Sequence, residues 1–304
     1  MSNIHYGRNR RLRPKSIWLV VLACLSIGWL FNMASSYPSA NESDDARQVQ
    51  PTVGKVTMIY GNNSIYESAL DTHKEHCRRL RYPLFVLRKP ILDGVWNKYA
   101  ILLSVLLQEL EKPVDRRLQW LLWFDSDTVL MNANMPLETF LPPAHLPDVH
   151  MLLTKDWNGM NNGVFFIRVH KWSVELLTAA TAYPVVNPDV ELYWPDQSAL
   201  NNLFEENSYF AKSVVYCPLR WFNAYMRSPD GMALNPDSPP HLQVHPGDLL
   251  VHFPGTGQDH LGQTLGPYIA IAEEHRAEWE PPLENTNYIE ETESFWKKQA
   301  PVIS

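Results

Sequence analysis

Cysteine is scarce in this chain, three residues in 304. That is too few for a disulfide scaffold at this length. Basic charge is scarce once the N-terminus is passed. The first fifteen residues hold Arg8, Arg10, Arg11, Arg13 and Lys15 and no acid, so they carry +5 of a total of −7, which leaves −12 on the remaining 289. A body this acidic has no electrostatic footprint for a phosphate backbone, so nucleic acid is excluded as a partner. Internal repeats are lacking, and so is any compositional break within the body, so one domain is expected there. What is present is a hydrophobic fraction of 45% with 12% aromatics. That excludes wholesale disorder.

One long apolar run stands out. IWLVVLACLSIGWLFNMA at 17–34 contains no charged residue. At ~1.5 Å per residue its eighteen residues span about 27 Å, close to the ~30 Å hydrocarbon core. Basic residues before it, with Glu42, Asp44 and Asp45 after it, favour a cytosolic N-terminus. The run exceeds the ~7–15 apolar residues of a cleaved signal, so an uncleaved anchor is expected. A signal cut near Ala34-Ser35-Ser36 is the alternative. The expected organisation is a cytosolic basic tail at 1–16, a transmembrane signal anchor at 17–34, a luminal stem at 35–53 and a globular body at 54–304. The stem is polar and carries the sequon Asn41-Glu42-Ser43, making Asn41 the expected glycosylation acceptor, with Asn62-Asn63-Ser64 a second sequon. Cys77 and Cys217 could pair in an oxidising lumen, and their spacing does not decide it.

The body reads as alternating strands and helices. Apolar β-like runs lie at 56–60, 84–87, 118–124, 151–154, 163–169 and 249–253. Helical patterns lie at 65–81, with Ser64 as a candidate cap, and at 96–111, 172–183 and 196–206. Such alternation predicts an α/β fold with a mostly parallel central sheet and ligands at the strands' C-terminal edge. The run LQWLLWF at 118–124 is apolar at every position but one, as in a strand buried on both faces. Asp125-Ser126-Asp127 follows it directly. Residues two apart on a strand point the same way, so the two carboxylates converge at the ligand edge. Paired hard oxygen donors suit Mg²⁺ or Mn²⁺, whereas turn residues capping their own backbone would give the same pattern. An aspartyl-nucleophile phosphatase of the haloacid-dehalogenase type also begins with such a motif. It needs a later acidic pair, and Gly247-Asp248 is followed by no second acid in range.

Five segments occur in series: WNKYAILLSVL from Trp96, WFDSDTVLMN from Trp123, MNNGVFFIRVHKWS at 160–173, WPDQSAL at 194–200 and VHFPG at 251–255. Together they resemble glycosyltransferase family 34, the group of fungal Golgi α-galactosyltransferases and α-1,6-mannosyltransferases, related to plant xyloglucan xylosyltransferases. The resemblance spans roughly 54–256. It implies a GT-A-like fold with a Rossmann-like nucleotide-binding half, a type II Golgi membrane protein, and retaining transfer of an α-linked hexose from UDP-galactose or GDP-mannose to an oligosaccharide or glycoprotein glycan. By resemblance, Asp125, Asp127 and His252 hold Mn²⁺ or Mg²⁺. Gly61, Lys98, Asp125, Asn161, Gly163 and Gly255 contact the donor, and Asp196 and Gln197 stabilise the reacting sugar. A neutral amide is a poor nucleophile, so a front-face mechanism is implied rather than a covalent intermediate. Asp196, after Pro195, could alternatively cap a helix. Trp157, Trp194, Trp221 and Tyr225 are aromatic candidates for stacking on sugars. The chain departs from the pattern once. Better-known relatives place a lysine where this chain has Gly257, so His260 or a backbone amide would have to substitute. The alternative reading is a catalytically impaired subunit of a glycosyltransferase complex.

Overall fold

The computed structural model of the chain describes residues 52–299. The expected tail, anchor, most of the stem and Asn41 lie outside the described residues. Among the described residues no helix is long and apolar enough to cross a membrane.

Six strands form the main sheet: β1 (Val53–Met58), β2 (Leu84–Leu87), β3 (Trp120–Phe124), β5 (Met151–Asp156), β6 (Gly159–Arg168) and β7 (Val214–Cys217). Their order is β2-β1-β3-β6-β5-β7. Five run in one direction, as the alternation of strands and helices predicts, and β6 alone runs against them. It pairs antiparallel with β3 and with β5. The reason is local, because β5 and β6 are joined by a tight turn at Trp157 and Asn158 rather than by a crossover helix. A second, three-stranded sheet has the order β4-β9-β8 and is built from β4 (Thr128–Leu130), β8 (Ala224–Tyr225) and β9 (Leu250–His252). The body starts one residue earlier than expected, since Val53 is already in β1.

β3 is buried along its whole length. Leu121 and Trp123 face helices α2 (Asn97–Glu111), α3 (Lys171–Val186), α4 (Pro195–Glu206) and the short α5 (Ser208–Ala211) through one core. Trp120, Leu122 and Phe124 face the opposite core. Burying each of these large side chains contributes about 2–3 kcal/mol. A strand fixed on both sides cannot shift without opening both cores, so its C-terminal end, Asp125, stands on the most constrained part of the sheet. Helix α1 (Ser64–Leu80) covers the second face, with α6 (Leu261–Glu273) and α7 (Tyr288–Lys298) beyond it. Asn63 caps α1, accepting from the backbone N–H of Ile65 and Tyr66, whereas the expected cap, Ser64, is the first helical residue. Cys77 and Cys217 are buried and free.

The core of α1 and β1 contains a charge that periodicity does not reveal. Lys55 is fully buried on β1. Its ammonium donates to Nδ1 of His73 (2.9 Å) and of His76 (3.2 Å), both on α1. Both imidazoles therefore carry their proton on Nε2. That of His73 donates to Thr128 Oγ1 at 3.0 Å and that of His76 to the Met135 carbonyl at 2.9 Å. Thr128 then donates to the Asp125 carbonyl at 2.8 Å. Burial, only partly opposed by Cys77, pushes the Lys55 ammonium down from 10.5 to about 8. Below pH 8 both folded and unfolded chains carry this proton, and the folded state bears the full burden of the buried charge. Between about pH 8 and 10.5 the unfolded chain holds more protons, so the Lys55 contribution to stability rises with pH. The Lys55→Met variant lacks this rise. Urea unfolding at pH 7 and pH 11 should show the wild-type-minus-variant difference moving by about 3 kcal/mol towards the wild type.

Candidate functional site

The C-terminal ends of β1 and β3, the N-terminal end of β6 and the end of β9 open onto one cavity of about 520 Å³. Asp125 follows β3, and its backbone N–H donates to the Gly163 carbonyl at 2.8 Å. Asp127 sits in the turn into β4. Register pairs Thr128 with His252, and the Phe253 N–H donates to the Asp127 carbonyl at 3.0 Å. This pairing brings His252 Nε2 to 3.4 Å from Asp127 Oδ1. One donor atom each from Asp125, Asp127 and His252 falls within 4.8 Å of the others. Sequence separation of 125 residues is thus closed by a three-residue ladder.

The protonation of His252 is set behind it. Its Nδ1 lies 2.8 Å from Asn223 Oδ1. The Asn223 amide is oriented because its Nδ2 donates to Thr154 Oγ1 (2.8 Å) and to Asn161 Oδ1 (2.9 Å). Asn223 therefore presents its oxygen, His252 donates from Nδ1, and the Nε2 lone pair faces the two aspartates. Two carboxylates and a neutral imidazole are a donor set that fits Mn²⁺, and less closely Mg²⁺, which favours oxygen alone. Asn223→Ala removes the acceptor that fixes this tautomer and should weaken Mn²⁺ binding 10–100-fold, measurable by titration calorimetry. Unchanged Mn²⁺ affinity would detach Asn223 from the centre.

Gly163 serves the same group by lacking a side chain. A Cβ there would come within 2.1 Å of His252 Cε1. The ring occupies the place where any other residue would project.

The other side of β6 carries a separate constellation. Lys98, from the first turn of α2, is only 4% exposed. Its ammonium lies 2.8 Å from Asp196 Oδ2 and 3.3 Å from Asp125 Oδ1. It also donates to the Asn162 carbonyl at 3.1 Å. Burial disfavours the ammonium, but Asp125 and Asp196 more than offset this, and its pKa is raised. Lys98 is therefore a buried, paired ammonium and not a solvated side chain on the helix face. Asp125 also accepts from Trp123 Nε1 at 2.8 Å. Burial raises the Asp125 carboxyl; Lys98 opposes the shift and Asp127 adds to it. Asp196 does not cap α4: its Oδ2 takes Lys98 and Asn162 Nδ2 (2.9 Å), and the cap residue Trp194 makes no side-chain cap bond. Gln197 Oε1 accepts from the Asn162 N–H at 3.1 Å, so its NH₂ is the group left for the cavity that Gln197 lines.

Asp125, Asp127, His252, Lys98, Asn161, Gly163, Asp196, Gln197 and Gly255 all line the cavity. Gly61 does not; its φ of +73° meets the need of the turn after β1, with open space around it. Neither Gly257 nor the exposed His260 lines the cavity, and Lys98 is the one lysine or arginine that does among the described residues. Trp157, Trp194 and Tyr225 line it too, whereas Trp221 is fully buried in the core and has no sugar-facing surface. Asn162, Asn223 and Asp156 escaped the sequence reading. The signal for Asn162 was available: in a strand its side chain must point opposite to that of Asn161.

Residues 143–260 match the galactosyl transferase GMA12/MNN10 family, a range that takes in Asn161 to His252 but begins after Asp125 and Asp127. The chain is 25% identical over 197 residues to "Probable alpha-1,2-galactosyltransferase gmh1" of Schizosaccharomyces pombe, covering 54% of each. It is 26% identical over 192 residues to "Probable alpha-1,6-mannosyltransferase MNN10" of Saccharomyces cerevisiae, covering 53% of this chain and 48% of that one. The chain thus spans about half the length of these relatives. A solved glycosyltransferase involved in glycosylation of the major capsid of PBCV-1 superposes with a TM-score of 0.52 at 18% identity, covering 74% of this chain and all of that one. This likeness establishes a GT-A-like glycosyltransferase fold. The matched range and the relatives together make the chain similar, over its central part, to the galactosyl transferase GMA12/MNN10 family, glycosyltransferase family 34.

Proposed function

We propose that this protein is a metal-dependent hexosyltransferase that moves an α-linked hexose, galactose first and mannose second, from a nucleotide-sugar to a glycan with retention of configuration. We further propose that it works as a type II membrane protein whose body faces the Golgi lumen. The observation that carries the reading is the Asp125–Asp127–His252 cluster at the ligand edge of the sheet, inside a cavity lined by Asp125, Asp127, Asp156 and Asp196 against Lys98 alone. Lys98 is already committed to Asp125 and Asp196. A diphosphate entering such a cavity meets net negative charge; Asp125, Asp127 and His252 would hold a divalent cation, which would supply the missing positive charge beside the leaving diphosphate.

The protein's own groups account for the rest. Asp196 is pinned by Lys98 and Asn162, and Gln197 offers an amide N–H rather than a nucleophile. Retention then follows from attack on the face that the diphosphate leaves. The anomeric carbon–oxygen bond to phosphate breaks and the bond to the acceptor oxygen forms. The acceptor's hydroxyl proton passes to the departing phosphate oxygen, while the Asp196 carboxylate faces the positive charge developing on the sugar and the Gln197 NH₂ is left to donate to a sugar or phosphate oxygen.

Binding of UDP and GDP to the full chain in detergent, with and without Mn²⁺, tests the reading. Mn²⁺-dependent binding of either nucleotide supports it, and failure of both to bind sinks it. The lack of any free lysine or arginine among the described cavity residues favours one second reading, a catalytically impaired subunit of a glycosyltransferase complex. Nucleotide binding without donor turnover would select it.

A further inference from the structure

The wall of the cavity away from Lys98 has features that donor binding leaves unused. Trp157, at the tip of the β5–β6 hairpin, is 65% exposed although it lines the cavity. An indole held at a cavity rim offers a flat apolar face with a donor N–H at its edge, a shape suited to the C–H face of a sugar. Its ring is held edge-on against Tyr225, with centroids 5.1 Å apart and planes at 67°. Tyr225 is fixed in turn, its hydroxyl donating to Asp156 Oδ2 and accepting from Asn161 Nδ2 at 2.9 Å. Asp156 Oδ2 also accepts from Asn161 (3.1 Å), while Oδ1 accepts from the Asn158 N–H (2.6 Å) and keeps a lone pair. The result is a preorganised aromatic face beside a carboxylate and the exposed Asn158 amide.

β6 separates this wall from the one assigned to the donor. Asn162 projects towards Lys98, Asp196 and Gln197, whereas Asn161 projects towards Asp156, Tyr225 and Asn223. A pyranose presents an apolar face of C–H groups and a rim of hydroxyls. The indole would cover the first, and Asp156 with Asn158 would bond to the second. Among the described residues no lysine or arginine lines this wall. Lys155 points away, over the Tyr216 ring at 4.2 Å. An anionic sugar would meet Asp156 and Asp127 with no compensating charge.

We propose that Trp157, Asp156 and Asn158 form the acceptor subsite, and that it takes a neutral hexopyranose and rejects uronic acids, sialic acids and sugar phosphates. The inference rests on the glycosyltransferase reading of the same cavity. An apolar partner would use the indole alone and would desolvate the Asp156 carboxylate without adding a donor to its free lone pair.

Saturation-transfer NMR on the full chain in detergent with UDP, using α-1,6-mannobiose, α-galactobiose, glucuronic acid and mannose 6-phosphate as probes, tests it without requiring turnover. A neutral disaccharide is expected to bind, with affinity falling about tenfold in Trp157→Ala and largely restored in Trp157→Phe. The charged sugars are expected not to bind. Mn²⁺-dependent UDP or GDP binding should stay within twofold in both variants. Equal binding of charged and neutral sugars, or full affinity in Trp157→Ala, overturns the subsite. Nucleotide binding without any binding of neutral sugar overturns the subsite alone. Loss of nucleotide binding in the wild-type chain overturns the reading beneath it.

Discussion

Asp127→Ala is expected to abolish Mn²⁺-dependent nucleotide binding and to lower hexose transfer by about a thousandfold or more. Little remains to hold an ion once Asp127 is gone. Asp125 Oδ1 already receives Trp123 Nε1 and lies 3.3 Å from the Lys98 ammonium. His252 supplies one nitrogen. The sign of the stability change separates this outcome from misfolding. Asp127 adds to the repulsion that raises the Asp125 carboxyl, so removing it relieves the metal-free protein. The variant should therefore melt at or above the wild-type temperature without Mn²⁺, and should lose the rise in Tm that Mn²⁺ gives the wild type. Calorimetry and thermal unfolding, each with and without Mn²⁺, check both halves. Wild-type nucleotide affinity in the variant would remove the aspartate pair from the site.

Gly163→Ala is expected to be the most damaging single-methyl change in the cavity. The added Cβ would stand 2.1 Å from His252 Cε1 and 2.9 Å from each ring nitrogen. Neither partner can yield. β6 is tied to β3 on one side, and the His252 ring is tied to Asn223 on the other. The ring must leave its place, losing the bond at Nδ1 and the approach to Asp127. Overpacking of this kind costs about 1–3 kcal/mol. Mn²⁺ affinity should fall about a hundredfold, more than for Asn223→Ala, because the ligand itself moves. Gly262→Ala is a fitting control, since its Cβ meets only Ile65 at an ordinary 3.7 Å. A Gly163→Ala protein with wild-type Mn²⁺ affinity would mean that His252 is not a ligand.

Much of this was legible before any coordinates, and unevenly so. The sheet's long strands announced themselves as apolar runs, and Asp125 with Asp127 followed from their place after the most buried one. Strand β9 lies inside the apolar run expected at 249–253, but its neighbours β4 and β8, of three and two residues, are too short to show a period, and it is the pairing with β4 that carries His252 to Asp127. Helix α6 holds Gly262 and Pro267, which disguise it as a loop. Lys55 interrupts an apolar run and so reads as a strand boundary. Its partners are histidines eighteen and twenty-one residues away, and nothing local predicts them. Lys98, Asp196 and His252 were placed by family resemblance, not by chemistry visible in the chain. Asn223 was invisible because its role is to orient another side chain, which leaves no pattern in composition or spacing.

The reversed strand has a consequence for how this site can vary. Surface hairpin turns ordinarily tolerate inserted or deleted residues. The turn between Asp156 and Gly159 is different, because β6 enters the site from its N-terminal end, directly after that turn. Register already shifts between Leu152 and Thr154, where β6 advances five residues against two of β5, so the pairing next to the turn is held by the few partners from Thr154 to Asp156. One residue added or removed there would exchange the sides served by Asn161 and Asn162, unseating the lysine cluster and the histidine support together. In this fold the length of a two-residue turn is as much a functional requirement as the identity of any ligand.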